Sequence, residues 1–148
     1  MITIRTMKSK DTEEVLTMMG VFYDSPAILH KASEAVLRRD IEDCVGENPF
    51  IEGFVFEEEG QIAGYSMLAK SYSTEYGGLC IWIEDLYIKP EYRGSGIGTQ
   101  FFSYLEEAYR GKAVRLRLEV EPSNGRAIEV YKKCGYQQLP YIQMTKEL

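Results

Sequence analysis

The sequence predicts a mixed α/β fold of the α+β kind, with helices packed on a largely antiparallel sheet. Three observations carry this. Apolar, aromatic-rich runs over residues 51–56 and 61–71 meet across Glu58-Glu59-Gly60, the signature of a hairpin. Val114, Leu116, Leu118 and Val120 alternate with Arg115, Arg117, Glu119 and Glu121 at the two-residue period of a strand. Around these runs, apolar residues recur at helical spacing. No repeat or Pro/Gly-rich linker divides the 148 residues, so a single domain over 1–148 is expected.

In chain order, residues 2–5 read as a short strand. Asp11 is placed to cap a helix, with Glu14 three residues on completing a capping box. Val15, Met18, Met19 and Phe22 mark that helix's buried face. After Ser25-Pro26, Leu37, Ile41, Cys44 and Val45 share one face of a second helix, which Gly46 stops. The hairpin follows, and a turn at Tyr76-Gly77-Gly78 leads into residues 79–89, the longest strand. Ile97, Phe101, Leu105 and Ala108 then align on a third helix closed by Gly111. The alternating strand from Val114 comes next. Ser123 can cap a last helix bearing Ala127, Ile128, Tyr131 and Cys134, ended by Gly135, and a final strand is expected over 141–147.

Composition excludes several classes of function. A net charge of −6 argues against nucleic acid as a partner, because phosphate affinity needs Lys and Arg, and is compatible with a cationic small substrate. Cys44, Cys80 and Cys134 are scattered and His30 is the only histidine, so no four-ligand zinc set can be assembled and no metal is expected. Free thiols in a reducing compartment are the simplest reading. The first residues lack a signal-peptide pattern, and no segment approaches the roughly 18 apolar residues of a membrane span. A cytoplasmic protein with no membrane partner is expected.

The chemistry concentrates in Arg93-Gly94-Ser95-Gly96-Ile97-Gly98, three glycines at alternate positions between a strand and a helix. Glycine lets backbone amides approach a ligand, and successive N–H groups at a helix N-terminus form an anion nest aided by the helix dipole. Arg93 adds a positive charge at the entrance. A Walker A loop would need a lysine where Ile97-Gly98-Thr99 has none, and a dinucleotide fingerprint would need glycine at Thr99. A turn without a ligand is the alternative.

The run from Glu84 to Gly98 resembles the acyl-CoA-binding core of the GCN5-related N-acetyltransferases, whose Arg/Gln-x-x-Gly-x-Gly/Ala signature falls on Arg93, Gly96 and Gly98. Asn124, Ala127, Tyr131 and Gly135-Tyr136 fit the family's second block, and Ile4-Arg5 and Asp11 resemble its opening. The resemblance spans nearly the whole chain. It implies a sheet that splays between its fourth and fifth strands and acetyl-CoA as co-substrate. The pantetheine arm would pair with the backbone near Leu86 and Ile88, the pyrophosphate with amides from Arg93 through Gly94, Ser95, Gly96, Ile97 and Gly98 to Thr99, and Asn124 would position the arm. The oxyanion donor would be a backbone N–H near Leu86 or Tyr87.

Acetyl transfer by direct attack needs a base for the amine and an acid for the departing thiolate. The segment Trp82-Ile83-Glu84-Asp85-Leu86-Tyr87 resembles a strand of polyamine acetyltransferases, which implies Glu84 as base, and the second block implies Tyr131 as acid. From spacing alone, Glu84 is equally a solvated strand carboxylate and Tyr131 a core tyrosine. Asp85 should face the opposite side of the sheet from Glu84 by strand alternation. The acceptor is expected to be a small-molecule or peptide amine, with a polyamine or diamine foremost because Glu84, Glu119, Glu121 and Asp24 could form a negative lining. Tyr23, His30, Tyr72, Tyr76, Trp82 and Tyr141 could line the acceptor slot or simply pack. A non-catalytic acyl-CoA-binding sensor or protein-interaction module is the competing function, and a homodimer is allowed.

Overall fold

The computed structural model describes residues 1–148. β1 (Ile2–Thr6) leads through a 3-10 turn (Ser9–Asp11) into α1 (Thr12–Tyr23) and α2 (Glu34–Val45). β2 (Ile51–Glu58), β3 (Gln61–Ser73) and β4 (Gly78–Ile88) follow, then a 3-10 turn (Pro90–Tyr92), α3 (Ile97–Tyr109), β5 (Arg115–Leu118) and α4 (Gly125–Lys133). The strands form one sheet in sequence order, β1 to β4 antiparallel and β5 parallel to β4. Parallel neighbours require a crossover, and α3 supplies it.

The sheet buries both faces. α1 and α2 cover one, where Val15, Met18, Met19, Leu37 and Ile41 pack on Val55, Tyr65, Met67 and Tyr87. α3 covers the other, where Ile97, Phe101, Phe102 and Leu105 meet Phe54, Phe56, Leu68, Ile81 and Ile83. Each of these three helices thus buries the stripe that its 3.6-residue period lays down, whereas α4 buries no residue fully.

Four expectations need correction. Asp11 does begin α1 but does not cap it through its side chain. Its buried carboxylate instead receives both Arg5 terminal nitrogens at 2.8 Å and the Lys8 N–H at 2.8 Å, while Glu14 reaches Lys89 rather than closing a capping box. An arginine within reach outbids a helix amide for a carboxylate, because both partners are charged. At α4 the cap is Asn124, whose side chain accepts from the Ala127 N–H at 3.2 Å, one residue beyond Ser123. The fifth strand is shorter than its alternation over 114–121 suggests, because only four of its residues have a partner on β4. The strand expected over 141–147 does not form. Ile142 and Met144 are 90% and 94% exposed there, and the Tyr141 hydroxyl, donating to Glu75 at 2.7 Å, ties the segment down. An alternating pattern reports fitness for a half-buried ladder, and this segment has no strand beside it.

The decisive irregularity lies in β4. Leu68 pairs with Ile83 and Met67 with Asp85, which leaves Glu84 as an extra residue opposite no partner, a β-bulge. Ile81 and Ile83 point toward α3, but after the bulge Asp85 and Tyr87 point toward α1 and α2. One inserted residue therefore reverses the faces of the strand's second half. Beside it, Gly64 pairs with Ile88, and a Cβ there would lie 2.3 Å from the Tyr87 carbonyl oxygen and 3.1 Å from the Ile88 Cα. Backbone cannot yield as a side chain does, so Gly64→Ala should cost about 1–3 kcal/mol by overpacking. Gly20→Ala, inside α1 with nothing within 4 Å, should instead gain about 0.5–1 kcal/mol. Chemical denaturation of both variants checks the contrast, and equal effects would contradict the close approach at β4.

Candidate active site

Pairing between β4 and β5 runs from Cys80–Arg115 to Ile83–Leu118 and stops at the bulge, while β4 continues to Ile88. Beyond Ile83 the outer edge of β4 is therefore unpaired, and a cleft of about 890 Å3 opens along it. Leu86, Tyr87 and Ile88 form one wall, the loop and first turn of α3 the end, and Ser123, Asn124, Ala127 and Tyr131 the opposite wall. Free strand edge and free helix end share one cavity.

The loop is built for close approach. Gly94 and Gly96 have φ of +80° and +85°, a region that L side chains reach only with strain, and Gly96 is the residue preceding α3. The first α3 amides have no carbonyl a turn before them, so they face the cleft as donors, and the helix dipole adds partial positive charge. Arg93 braces the loop, its Nε donating to the Ile88 carbonyl at 2.8 Å and its guanidinium lying 5.6 Å from the Tyr87 ring centre. Such a nest suits a phosphate or pyrophosphate. Ser95 does not line the cleft; its hydroxyl turns back to the Tyr92 carbonyl at 2.7 Å and holds the turn.

A second cleft of about 810 Å3 adjoins the outer edge of β5, lined among others by Trp82, Arg117, Glu119 and Tyr76. Tyr131 lines both clefts. Its ring packs edge-on against Phe102 at 5.6 Å, and burial raises its hydroxyl pKa, so it carries its proton at neutral pH. Glu84 stands on the bulge, next to the last paired residue Ile83; it is exposed and lines neither cleft. Its carboxyl is raised above the ordinary range, first by desolvation and then by the neighbouring negative charge of Glu119. Two carboxylates that repel each other attract a cation or a proton.

Asp85 corrects the expectation from alternation. The bulge turns it to the α1–α2 side, where it is 3% exposed. Tyr23 and Tyr65 donate to its two oxygens at 2.9 and 2.8 Å, and Ser66 donates to its backbone carbonyl at 2.7 Å. Burial pushes the Asp85 carboxyl up to about 6, against the opposing pull of the two tyrosine hydrogen bonds. Sequence reasoning missed this three-residue cluster, which joins α1, β3 and β4; the aromatic positions at 23 and 65 were its only signal.

Other expected residues separate. Leu86, Tyr87, Ile88, Arg93, Gly94, Gly96, Ile97, Gly98, Thr99 and Asn124 share the first cleft. Glu121 lies there too, whereas Glu119, Trp82, Tyr76 and Tyr141 belong to the second. Asp24 pairs with Lys31 at 2.6 Å on the surface, and His30 and Tyr72 are exposed outside both clefts.

Comparison with known proteins gives a consistent picture. Residues 18–136 match the model of the acetyltransferase (GNAT) family. A thialysine N-epsilon-acetyltransferase of Bos taurus is 36% identical over 93% of this chain and 85% of its own length. A Bacillus subtilis (strain 168) protein whose given name refers to ribosomal-protein alanine N-acetylation is 32% identical over 90% of this chain and 80% of its own length. Among solved structures, an aminoglycoside N-acetyltransferase, AAC(6')-Iy in complex with CoA, superposes with a TM-score of 0.82 at 12% identity, covering 99% of this chain and 95% of that one.

The buried Asp85 sets a pH dependence of stability. A carboxyl raised in the folded state from 3.8 to about 6 favours folding when protonated. That contribution is present below about pH 4 and lost as pH rises through about 6. Asp85→Asn cannot ionise. Relative to the variant, the wild type should lose on the order of 3 kcal/mol between pH 4 and pH 7. Urea denaturation at both pH values checks this, and a pH-independent difference would contradict the buried-acid assignment.

Proposed function

The chain belongs to the acetyltransferase (GNAT) family and is an acetyl-CoA-dependent N-acetyltransferase; on that premise we propose that it acetylates a small linear primary amine by direct attack at the split between β4 and β5. The observation that carries this reading is the unpaired edge of β4 running straight into the amide nest at α3, with Tyr131 where the two clefts adjoin. Acetyl-CoA, when bound, supplies an acetyl group activated as a thioester. Donors and acceptors at Leu86 and Ile88 hold an amide-bearing arm against the strand edge. The loop from Arg93 to Thr99 holds the pyrophosphate, because the glycines at φ of +80° and +85° keep side-chain bulk away from the amides. Asn124 caps α4 with its side chain and borders the arm's path.

The protein's own groups then divide the proton work. Glu84, raised by desolvation and by Glu119, takes the proton from the acceptor ammonium, directly or through a water. The same pair of carboxylates attracts a cationic amine to the split, which supports an aliphatic primary-amine acceptor. A backbone N–H near Leu86 or Tyr87 meets the oxyanion. Tyr131, kept protonated by burial, gives its proton to the departing sulfur. A cytoplasmic setting is part of the proposal, supported by three free thiols, two of them buried.

Thiol release from acetyl-CoA, followed across a panel of amines, tests the reaction, and two substitutions test the roles. Tyr131→Phe keeps the ring on Phe102 and deletes only the proton, so kcat should fall about 100-fold with little change in Tm. A kcat within two-fold of wild type would return Tyr131 to a packing role. Glu84→Gln should depress kcat/KM at neutral pH and abolish its decline toward low pH, since a general base works only when unprotonated. An unchanged pH profile would move the base elsewhere.

A further inference from the structure

Trp82 and Arg117 are register partners across β4 and β5, one step before the strands part. The Arg117 guanidinium lies over the Trp82 ring, 4.2 Å from its centre. Its neighbour two residues back, Arg115, also stacks on an aromatic ring, Tyr76 at 4.6 Å, but is neutralised by Glu75 at 3.2 Å. Arg117 makes no direct ion pair: Glu75 acts on it only at longer range, and none of its side-chain N–H groups finds an acceptor in the protein. It is also half-buried in the second cleft together with Glu119 and Tyr131. A partly buried guanidinium without an acceptor is costly unless something else supplies one. Stacking leaves its planar edge, with paired donors, free for a carboxylate.

The position of this cation matters as much as its freedom. Arg117 and Glu119 are two residues apart and line the same cleft, and Trp82 and Glu84 are two residues apart on β4. At about 3.3 Å per residue, the carboxylate pair and the guanidinium are separated by roughly 7 Å along the strands. The split therefore presents negative charge at the place where an amine must lose its proton, and positive charge one pleat repeat away. A dication fits the first and is repelled by the second.

We propose that Arg117, stacked on Trp82, is a specificity-determining residue that binds the carboxylate of an acceptor carrying its reactive amine at the other end, an amino acid of about lysine length rather than a polyamine. The assignment rests on the reading of Glu84 and Glu119 as the amine end of the same site. It departs from the sequence expectation of a negative lining, because alternation shows that an arginine occupies the face but does not show that it lacks a partner.

The test compares thialysine with its decarboxylated diamine, which share the sulfur-containing chain and the reactive amine. Wild type should prefer the carboxylate-bearing acceptor in kcat/KM. In Arg117→Met, the ratio of the two KM values should change about 10–100-fold in favour of the diamine, chiefly through a higher KM for thialysine. Arg117→Lys keeps the charge and loses the planar fork, so it should fall between, and acetyl-CoA binding by each variant reports that the fold is intact. Preference of the wild type for the diamine, or an equal change in both KM values, would overturn the role of Arg117 while leaving acetyl transfer standing. Turnover of neither acceptor, in a wild type that releases thiol with other amines, would overturn the acceptor class. Loss of the thialysine preference in Glu84→Gln with the pH profile unchanged would instead overturn the amine-end reading on which the proposal rests.

Discussion

One extra residue in β4 organises the molecule. Without the bulge at Glu84, Asp85 and Tyr87 would continue the face of Ile81 and Ile83 and point into the α3 layer. With it, the strand's second half turns over, Asp85 enters the layer under α1, and β5 ceases to pair after Ile83. A bulge bends and twists its strand, and a parallel partner cannot follow both halves. The unpaired edge that results is the feature on which the cofactor reading depends. Gly64 on β3 is part of the same arrangement, since the Tyr87 carbonyl of β4 lies 2.3 Å from where a Cβ on Gly64 would stand.

Two buried carboxylates show how partner chemistry decides charge. Asp11 and Asp85 are each 3% exposed. Asp11 faces the Arg5 guanidinium, and that hydrogen-bonded cation holds its carboxyl below the ordinary range despite burial. Asp85 faces only tyrosine hydroxyls, which donate hydrogen bonds but bring no charge, and desolvation prevails. The first arrangement is a clamp between β1 and the start of α1, with Glu57 as its third member at 2.6 Å. The second pins the C-terminal end of α1 to the strand that forms the cleft wall. It lies beside the bulge and behind the proposed reaction centre.

Much of the fold was legible because periodicity reports burial directly. The α1 stripe of Val15, Met18 and Met19 and the α3 stripe of Phe101 and Leu105 pack as their spacing requires. Glycine spacing between a strand and a helix was legible for a similar reason, since few other needs put positive φ at Gly94 and Gly96 before a helix. What escaped was whatever depends on partners distant in sequence. Alternation gave Asp85 the wrong face because a bulge leaves no local mark. It gave residues 141–147 a strand because the pattern says nothing about whether a neighbouring edge is engaged. The Tyr23–Asp85–Tyr65 cluster joins residues 62 and 20 positions apart, and Arg117, unlike Arg115, makes no direct contact with Glu75. Such distinctions exist in space and not along the chain.

The central claim is that the unpaired edge of β4 and the amides opening α3 form one continuous binding surface for acetyl-CoA. Amide hydrogen exchange, resolved by residue with and without a non-reactive CoA thioether, tests it most directly. The account predicts new protection along residues 86–88 and at Ile97, Gly98 and Thr99 together, with β1 and β2 unchanged. Tight binding without protection at either segment, or protection confined to the cleft beside β5, would contradict it.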